Sequence, residues 1–215
     1  MASSQQLRKI HKEMKLNEKS KKMEKDIIKA NIIVYDKLKS EYPNIDFKFE
    51  SKIYLHDMVN NLEDNGIEGK NPFITPDGGF IFAKINDQWK VILISEAKRQ
   101  GTNDIRLKEG MKKQGKGNAI ERLGKNVIGI QTWLINEGVF PFVCFGEGCD
   151  FDDGSSIRDR VVTINQFGKL NKINVERKNN LQRGSYFFRY EKWTNEEIIP
   201  VLYEVAKRAL NFYGK

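Results

Sequence analysis

Pro76-Asp77-Gly78-Gly79-Phe80-Ile81-Phe82-Ala83-Lys84-Ile85-Asn86-Asp87-Gln88-Trp89-Lys90-Val91-Ile92-Leu93-Ile94-Ser95-Glu96-Ala97-Lys98 is the stretch on which the fold turns. Residues 80–85 and 89–95 are rich in β-branched and aromatic side chains, and Asn86, Asp87 and Gln88 between them have the composition of a hairpin connection. The run Val91-Ile92-Leu93-Ile94 is apolar on both faces, which predicts a central strand covered on both sides. Glu96 and Lys98 continue that strand and, two residues apart, project from one face. With a two-residue turn at Asn86-Asp87, Asp77 falls opposite Glu96 with β-carbons ~5 Å apart. A three-residue loop moves it opposite Ala97, still within reach of Glu96. Two partly buried carboxylates at that separation repel each other unless a proton or a cation lies between them. Mg²⁺ suits such a place, because it takes carboxylate oxygens and keeps water and phosphate oxygens as its other ligands. Lys98 alongside is suited to hold an attacking water and to counter charge on a phosphorane-like transition state. The pattern fits phosphodiester hydrolysis, although a hairpin with a capping aspartate and an edge Glu/Lys pair has the same letters.

Outward from the hairpin, residues 118–137 carry Ile120, Leu123, Val127, Ile130 and Leu134 at helical spacing, and residues 139–145 form another buried strand. Strand, helix and strand in that order predict a parallel crossover. Upstream, Ile27, Ile28, Ile32, Tyr35 and Leu38 predict a core helix over 26–42 that Pro43 stops. A short strand is expected over 46–50 and a helix around 56–63, with weaker strands near Val161 and Tyr186 and a helix over 195–212. The chain has 215 residues, 39% hydrophobic and 31% charged. Such a chain builds one globular domain, expected over 26–215, behind an arm over 1–25. No apolar run approaches the ~20 residues of a membrane-spanning helix, and the start lacks a leader pattern. Cys144 and Cys149 supply no disulfide framework, which favours a reducing, cytoplasmic compartment.

The net charge is +8 and the pI about 9.3, which points to a polyanionic partner, with nucleic acid foremost. Residues 1–29 hold nine basic groups against four acidic ones, and residues 98–125 hold nine against three. The second cluster directly follows the proposed metal site and would draw a phosphate backbone toward it. Gly115-Lys116-Gly117 leads into the helix at Asn118, where Asn118, Glu121 and Arg122 are residue types that hydrogen-bond base edges. Asn118 as an N-cap, with Glu121 three residues on, is the plainer reading of the same start. With His11 and His56 as its two histidines, the chain is poorly equipped for a two-histidine ribonuclease site or a histidine-ligated zinc hydrolase. Residues 119–126 lack the first glycine and the closing Ser/Thr of a phosphate-cradling loop. Asp150, Asp152 and Asp153 are read as solvated loop acids, because Val161 stands where a calcium loop needs Glu.

Together the two constellations resemble the EcoRI-type restriction endonucleases. Pro76-Asp77-Gly78-Gly79, Ser95-Glu96-Ala97-Lys98-Arg99-Gln100-Gly101, Gly117-Asn118-Ala119-Ile120-Glu121-Arg122 and Phe140-Pro141-Phe142-Val143 carry the resemblance. It covers roughly residues 41–150, with a fainter echo over 160–214. It implies a PD-(D/E)xK restriction-endonuclease-like α/β fold, a mixed central β-sheet flanked by α-helices. It further implies a type II restriction endonuclease: a homodimer that cuts a short palindrome in double-stranded DNA with Mg²⁺ and leaves 5′ overhangs, with no small-molecule cofactor and no membrane. Asp77 and Glu96 would hold the metal and Lys98 would assist the water. Asn118, Ala119, Glu121 and Arg122, preceded by Gly117, would read an inner AATT. Where the family reads an outer G·C with arginines, the comparable stretch 168–175 offers Lys172 and Val175. Lys116 aligns with an outer-pair arginine of a relative. AATT, RAATTY and GAATTC therefore all fit. A structure-selective repair nuclease or junction resolvase with the same triad, and a non-catalytic basic DNA-binding protein, are the competing readings.

Overall fold

The computed structural model of the 215-residue chain describes residues 4–58, 73–99, 108–112, 118–149, 151–152, 170–177 and 183–215. In chain order the strands are β1 (Phe47–Glu50), β2 (Ile53–Tyr54), β3 (Phe73–Ile74), β4 (Gly79–Ile85), β5 (Gln88–Arg99), β6 (Phe142–Glu147) and β7 (Ser185–Arg189). The helices among the described residues are α1 (Ser4–Glu41), the single turn α2 (Leu55–Met58), α3 (Asn118–Trp133) and α4 (Asn195–Tyr213). The main sheet has the order β1-β4-β5-β6-β7, and β2 pairs with β3 in a separate two-stranded ribbon. β1 pairs with β4 and β4 with β5 in antiparallel fashion, while β5, β6 and β7 are mutually parallel. The result is the mixed α/β sheet expected of the restriction-endonuclease-like fold.

Asn86 and Asp87 make the hairpin turn with φ of 50° and 62°, a left-handed region that Asn and Asp enter more readily than other non-glycine residues. From there Ile85 pairs with Gln88 and Phe82 with Val91, but Ile81 then pairs with Leu93, so Ile92 is a β-bulge. The bulge puts Ile92 and Leu93 on the same side of the sheet and returns Ile94 to the side of Val91. Because side chains alternate, one extra residue flips everything beyond it. Glu96 and Lys98 thereby fall on the α3 side rather than the α1 side.

The α1 side is covered by Met23, Ile27, Ala30, Val34 and Leu38 of α1 together with Ile198, Leu202, Val205 and Leu210 of α4. On the other side Leu123, Val127 and Ile130 of α3 pack on Phe80, Phe142 and Tyr186. Residues 91–97 of β5 are all buried, as a central strand without a solvated face requires. α1 is longer than the helix expected over 26–42: it begins at Ser4 and runs without a break through the basic segment. The strand expected near Val161, and the helix expected over 56–63 apart from its start in α2, lie outside the described residues. Cys144 and Cys149 are free and buried. No helix among the described residues is long and apolar enough to cross a membrane.

Candidate active site

The hairpin ends away from its turn in a tight approach built from two glycines. Gly78 N–H donates to Ser95 O at 2.9 Å and Gly79 N–H to Pro76 O at 3.0 Å. Gly79 has φ of +80°, where a β-carbon would also crowd Glu50 O, so glycine is required there. The bulge shifts the register to Gly79 opposite Ser95, which, carried two residues on, sets Asp77 toward Ala97 rather than Glu96 despite the two-residue turn. Asp77 and Glu96 still meet through the backbone. Asp77 N–H donates to Glu96 Oε2 at 3.0 Å, and Ala97 N–H donates to Asp77 Oδ2 at 3.3 Å. Lys98 Nζ donates to Asp77 Oδ2 at 2.8 Å and to Ala97 O at 3.2 Å, and also ion-pairs with Glu96 Oε1. The side chains of Asp77, Glu96 and Lys98 are 23%, 2% and 18% exposed, so the cluster opens to solvent on the Asp77 side.

Two acids and one base leave the cluster one negative charge in excess. Burial raises the Glu96 carboxyl above its usual range; Lys98 pulls it back and Asp77 pushes it further up. Burial would depress the Lys98 amine, but the flanking Glu96 and Asp77 charges outweigh it and hold the amine above its ordinary value. Glu24 of α1, although largely exposed, is also raised, by partial burial and then by the Asp77 charge. Cys144, paired with Glu96 across β5 and β6, is pushed well up by burial and by Glu96, so it remains an inert thiol. Two hard carboxylate donors with an uncompensated charge suit a divalent cation. Among the described residues no group of three or more His, Cys, Asp or Glu side chains is placed to hold a metal. A cation here would complete its shell with water and phosphate.

The fold thus brings together Asp77, Glu96 and Lys98, as their spacing in the sequence predicts. The other candidates are placed less fully. Lys116 and Gly117 lie outside the described residues; Asn118, Ala119, Glu121 and Arg122 form the first turn of α3, where only the backbone is described. The side chains of His11 and His56 are likewise outside the described set. Lys172 is exposed, whereas Val175 is buried in the core and its carbonyl accepts from Phe140 N–H at 2.7 Å. Of the two residues that stretch 168–175 offers for the outer base pair, Lys172 faces solvent and Val175 does not. Arg99, counted among the basic charges after the triad, is held by Glu147 at 3.1 Å with side-chain exposures of 11% and 6%.

Among the described residues, sequence reasoning missed the buried polar groups Asn31, Glu147 and Ser185. Asn31 of α1 is 1% exposed and its Nδ2 donates to Gly78 O at 2.6 Å and to Ser95 Oγ. Glu147 is 5% exposed and accepts from Trp193 N–H at 3.1 Å as well as from Arg99. A signal for Asn31 was present, since it interrupts the apolar stripe Ile27, Ala30, Val34 and Leu38. Glu147 had none beyond its place at the end of a buried strand.

A carboxylate pair and a lysine at the end of a hairpin, in a mixed sheet walled by helices, is the arrangement of the PD-(D/E)xK nucleases. The family model for restriction endonuclease EcoRI matches residues 11–215, and the chain belongs to this family of type II restriction enzymes. It is 34% identical over 134 residues to the type II restriction enzyme EcoRI of Escherichia coli, covering 55% of this chain and 48% of that enzyme. It is 26% identical over 221 residues to the type II restriction enzyme RsrI of Cereibacter sphaeroides, covering 82% of this chain and 79% of that enzyme. The matched stretch thus spans about half the length of the first relative.

Proposed function

We propose that the chain is a type II restriction endonuclease that hydrolyses double-stranded DNA with Mg²⁺, as a homodimer, at a short palindrome containing AATT, leaving 5′ overhangs. The observation that carries this reading is the Lys98 ammonium hydrogen-bonded to Asp77 at 2.8 Å and paired with Glu96, in a partly buried cluster with one acid to spare. Family membership adds the substrate class.

Asp77 and Glu96 would hold the cation, which when bound supplies Lewis-acid polarisation of the scissile phosphate and a more acidic water. Lys98 donates hydrogen bonds from the α3 side of β5. Its part is to orient the attacking water and to counter charge on the phosphate as it develops. The basic residues after β5 neutralise backbone phosphates, and the Lys-rich arm over 1–25 would add sequence-independent affinity. Asn118, Ala119, Glu121 and Arg122 would read the inner bases, with Ala119 against a thymine methyl. Gly117 would permit close approach of the backbone, and Lys116 and Lys172 would face the outer pair or its phosphates. A palindrome read by one site per strand calls for a two-fold dimer. Ile128 on α3, 61% exposed, and Ile135 beyond it, 54% exposed, are apolar surface of the kind such an interface covers.

The test is digestion of a sequenced plasmid with Mg²⁺ and mapping of the cut ends. Fixed termini flanking AATT, lost in Glu96→Ala while duplex binding persists, are expected. A smear without fixed ends would favour a structure-selective nuclease, and intact DNA bound tightly under all metal conditions would favour a non-catalytic binding protein.

A further inference from the structure

We propose that Asn31 is a positioning residue: its buried amide fixes the spacing between the two chain segments that carry Asp77 and Glu96, and so sets how tightly that pair holds a divalent cation. The inference rests on the reading of Asp77 and Glu96 as metal ligands. Asn31 lies inside a stripe of α1 whose other members, Ile27, Ala30, Val34 and Leu38, are fully buried. A polar side chain at such a position is retained for what it touches. It touches Gly78, the residue after Asp77, through Gly78 O at 2.6 Å, and Ser95, the residue before Glu96, through Ser95 Oγ. Those two residues are themselves joined by the bond from Gly78 N–H to Ser95 O at 2.9 Å.

The three groups leave no slack. A β-carbon at Gly78 would overlap both Ser95 Oγ and the Asn31 amide nitrogen and would press on Ile27. Ser95 is fully buried. Asn31 Oδ1 is buried without a hydrogen-bond partner among the described residues. The other half of the amide holds α1 against both strands of the hairpin one residue from each acid. Partners hydrogen-bonded directly to a metal ligand change affinity by about 10- to 100-fold when removed; Asn31 acts one residue behind each acid, so the lower end of that range is expected.

The experiment is Mn²⁺ binding by electron paramagnetic resonance, with the Mg²⁺ dependence of plasmid cleavage and duplex binding without metal measured on the same proteins. Asp77→Ala should abolish the Mn²⁺ site. Asn31→Ala should weaken Mn²⁺ by about tenfold, leave metal-free duplex binding unchanged, and recover the wild-type cleavage rate at saturating Mg²⁺. Ser95→Ala, a smaller change, should weaken Mn²⁺ by a smaller factor in the same direction. A merely structural role would lower the melting temperature without shifting the metal dependence. Unchanged Mn²⁺ affinity in Asn31→Ala, with the site lost in Asp77→Ala, overturns this inference alone. Wild type binding Mn²⁺ no better than Asp77→Ala overturns the metal-site reading as well. Should Asn31→Ala not fold, Ser95→Ala decides, and unchanged affinity there counts against Asn31.

Discussion

The two ends of the β4–β5 hairpin use the same chemical parts in different proportions. Near the turn, Lys90 donates to Glu137 at 3.0 Å, with side-chain exposures of 25% and 28%, and Lys84 lies 3.2 Å from the exposed Asp87. Each lysine there has its own acid. At the far end one lysine serves two carboxylates, and all three are less exposed than the Lys90–Glu137 pair. One residue further along β5, Arg99 and the buried Glu147 are again one to one, with side-chain exposures of 11% and 6%. Matched charges cancel and hold the fold in place. The mismatched set keeps an uncompensated charge under partial burial, an arrangement that costs stability and is relieved by a cation. Imbalance, rather than the presence of charge, separates the candidate site from structural pairs on the same strand.

The largest expected effect comes from correcting the imbalance. Glu96→Gln or Asp77→Asn should lower the rate of plasmid cleavage by on the order of 10³-fold. Because it removes a buried charge in excess, Glu96→Gln should also raise the metal-free melting temperature, as active-site neutralisations often do. A melting temperature that falls instead would contradict the account of the imbalance. Removing one partner of the matched Arg99–Glu147 pair should act the other way. Glu147→Ala leaves the largely covered Arg99 without its acid and Trp193 N–H without its acceptor, and should cost about 3 kcal/mol of stability by denaturant titration. Replacing both members, Arg99→Met with Glu147→Leu, should regain much of that loss. Near the turn, Lys90→Met should change stability by no more than ~1 kcal/mol and leave the cleavage rate untouched. A cleavage defect there would break the contrast between the two ends.

The parts of this comparison differ in how legible they were in the sequence. The hairpin, its central position and the meeting of Asp77, Glu96 and Lys98 follow from local patterns: a two-residue Asn-Asp turn, an apolar run and alternation. The bulge at Ile92 does not, because Val91-Ile92-Leu93-Ile94 is apolar whichever way it is threaded. Moving one residue of such a run to the other side leaves no mark in composition. The register that sets Asp77 toward Ala97 was accordingly reached through the wrong alternative, a longer loop in place of a bulge. Asn31, Arg99 and Glu147 act across separations of 47, 64 and 48 residues, which no window of local periodicity spans. The extension of α1 back to Ser4 carries helix through a segment so charged that its own pattern predicts no more than a mobile or weakly helical arm.

The smallest effect concerns a matched pair at the surface. Arg189 ion-pairs with Glu197, whose side chain is 41% exposed, and Thr194 N–H donates to the same carboxylate at 3.0 Å at the start of α4. These hydrogen bonds, Arg189 first and the Thr194 backbone next, lower the Glu197 carboxyl to about 2. Arg189 is held in turn over the Trp193 ring, 3.7 Å from its centroid, and Trp193 packs on Phe145 of β6. Unfolded, a glutamate titrates near ~4.3. The folded state is therefore favoured in full above about pH 4.3, and the advantage is lost as the pH falls toward about 2. Glu197→Gln should lower stability at neutral pH by about 1 kcal/mol, the sum of a surface pair and a helix cap, and should leave plasmid cleavage unchanged. Melting curves of wild type and variant should converge as the pH is lowered through that window. A gap that stays constant across it would mean that the glutamate acts through shape rather than charge, and that matched pairs on this fold do not order by burial as the hairpin suggests.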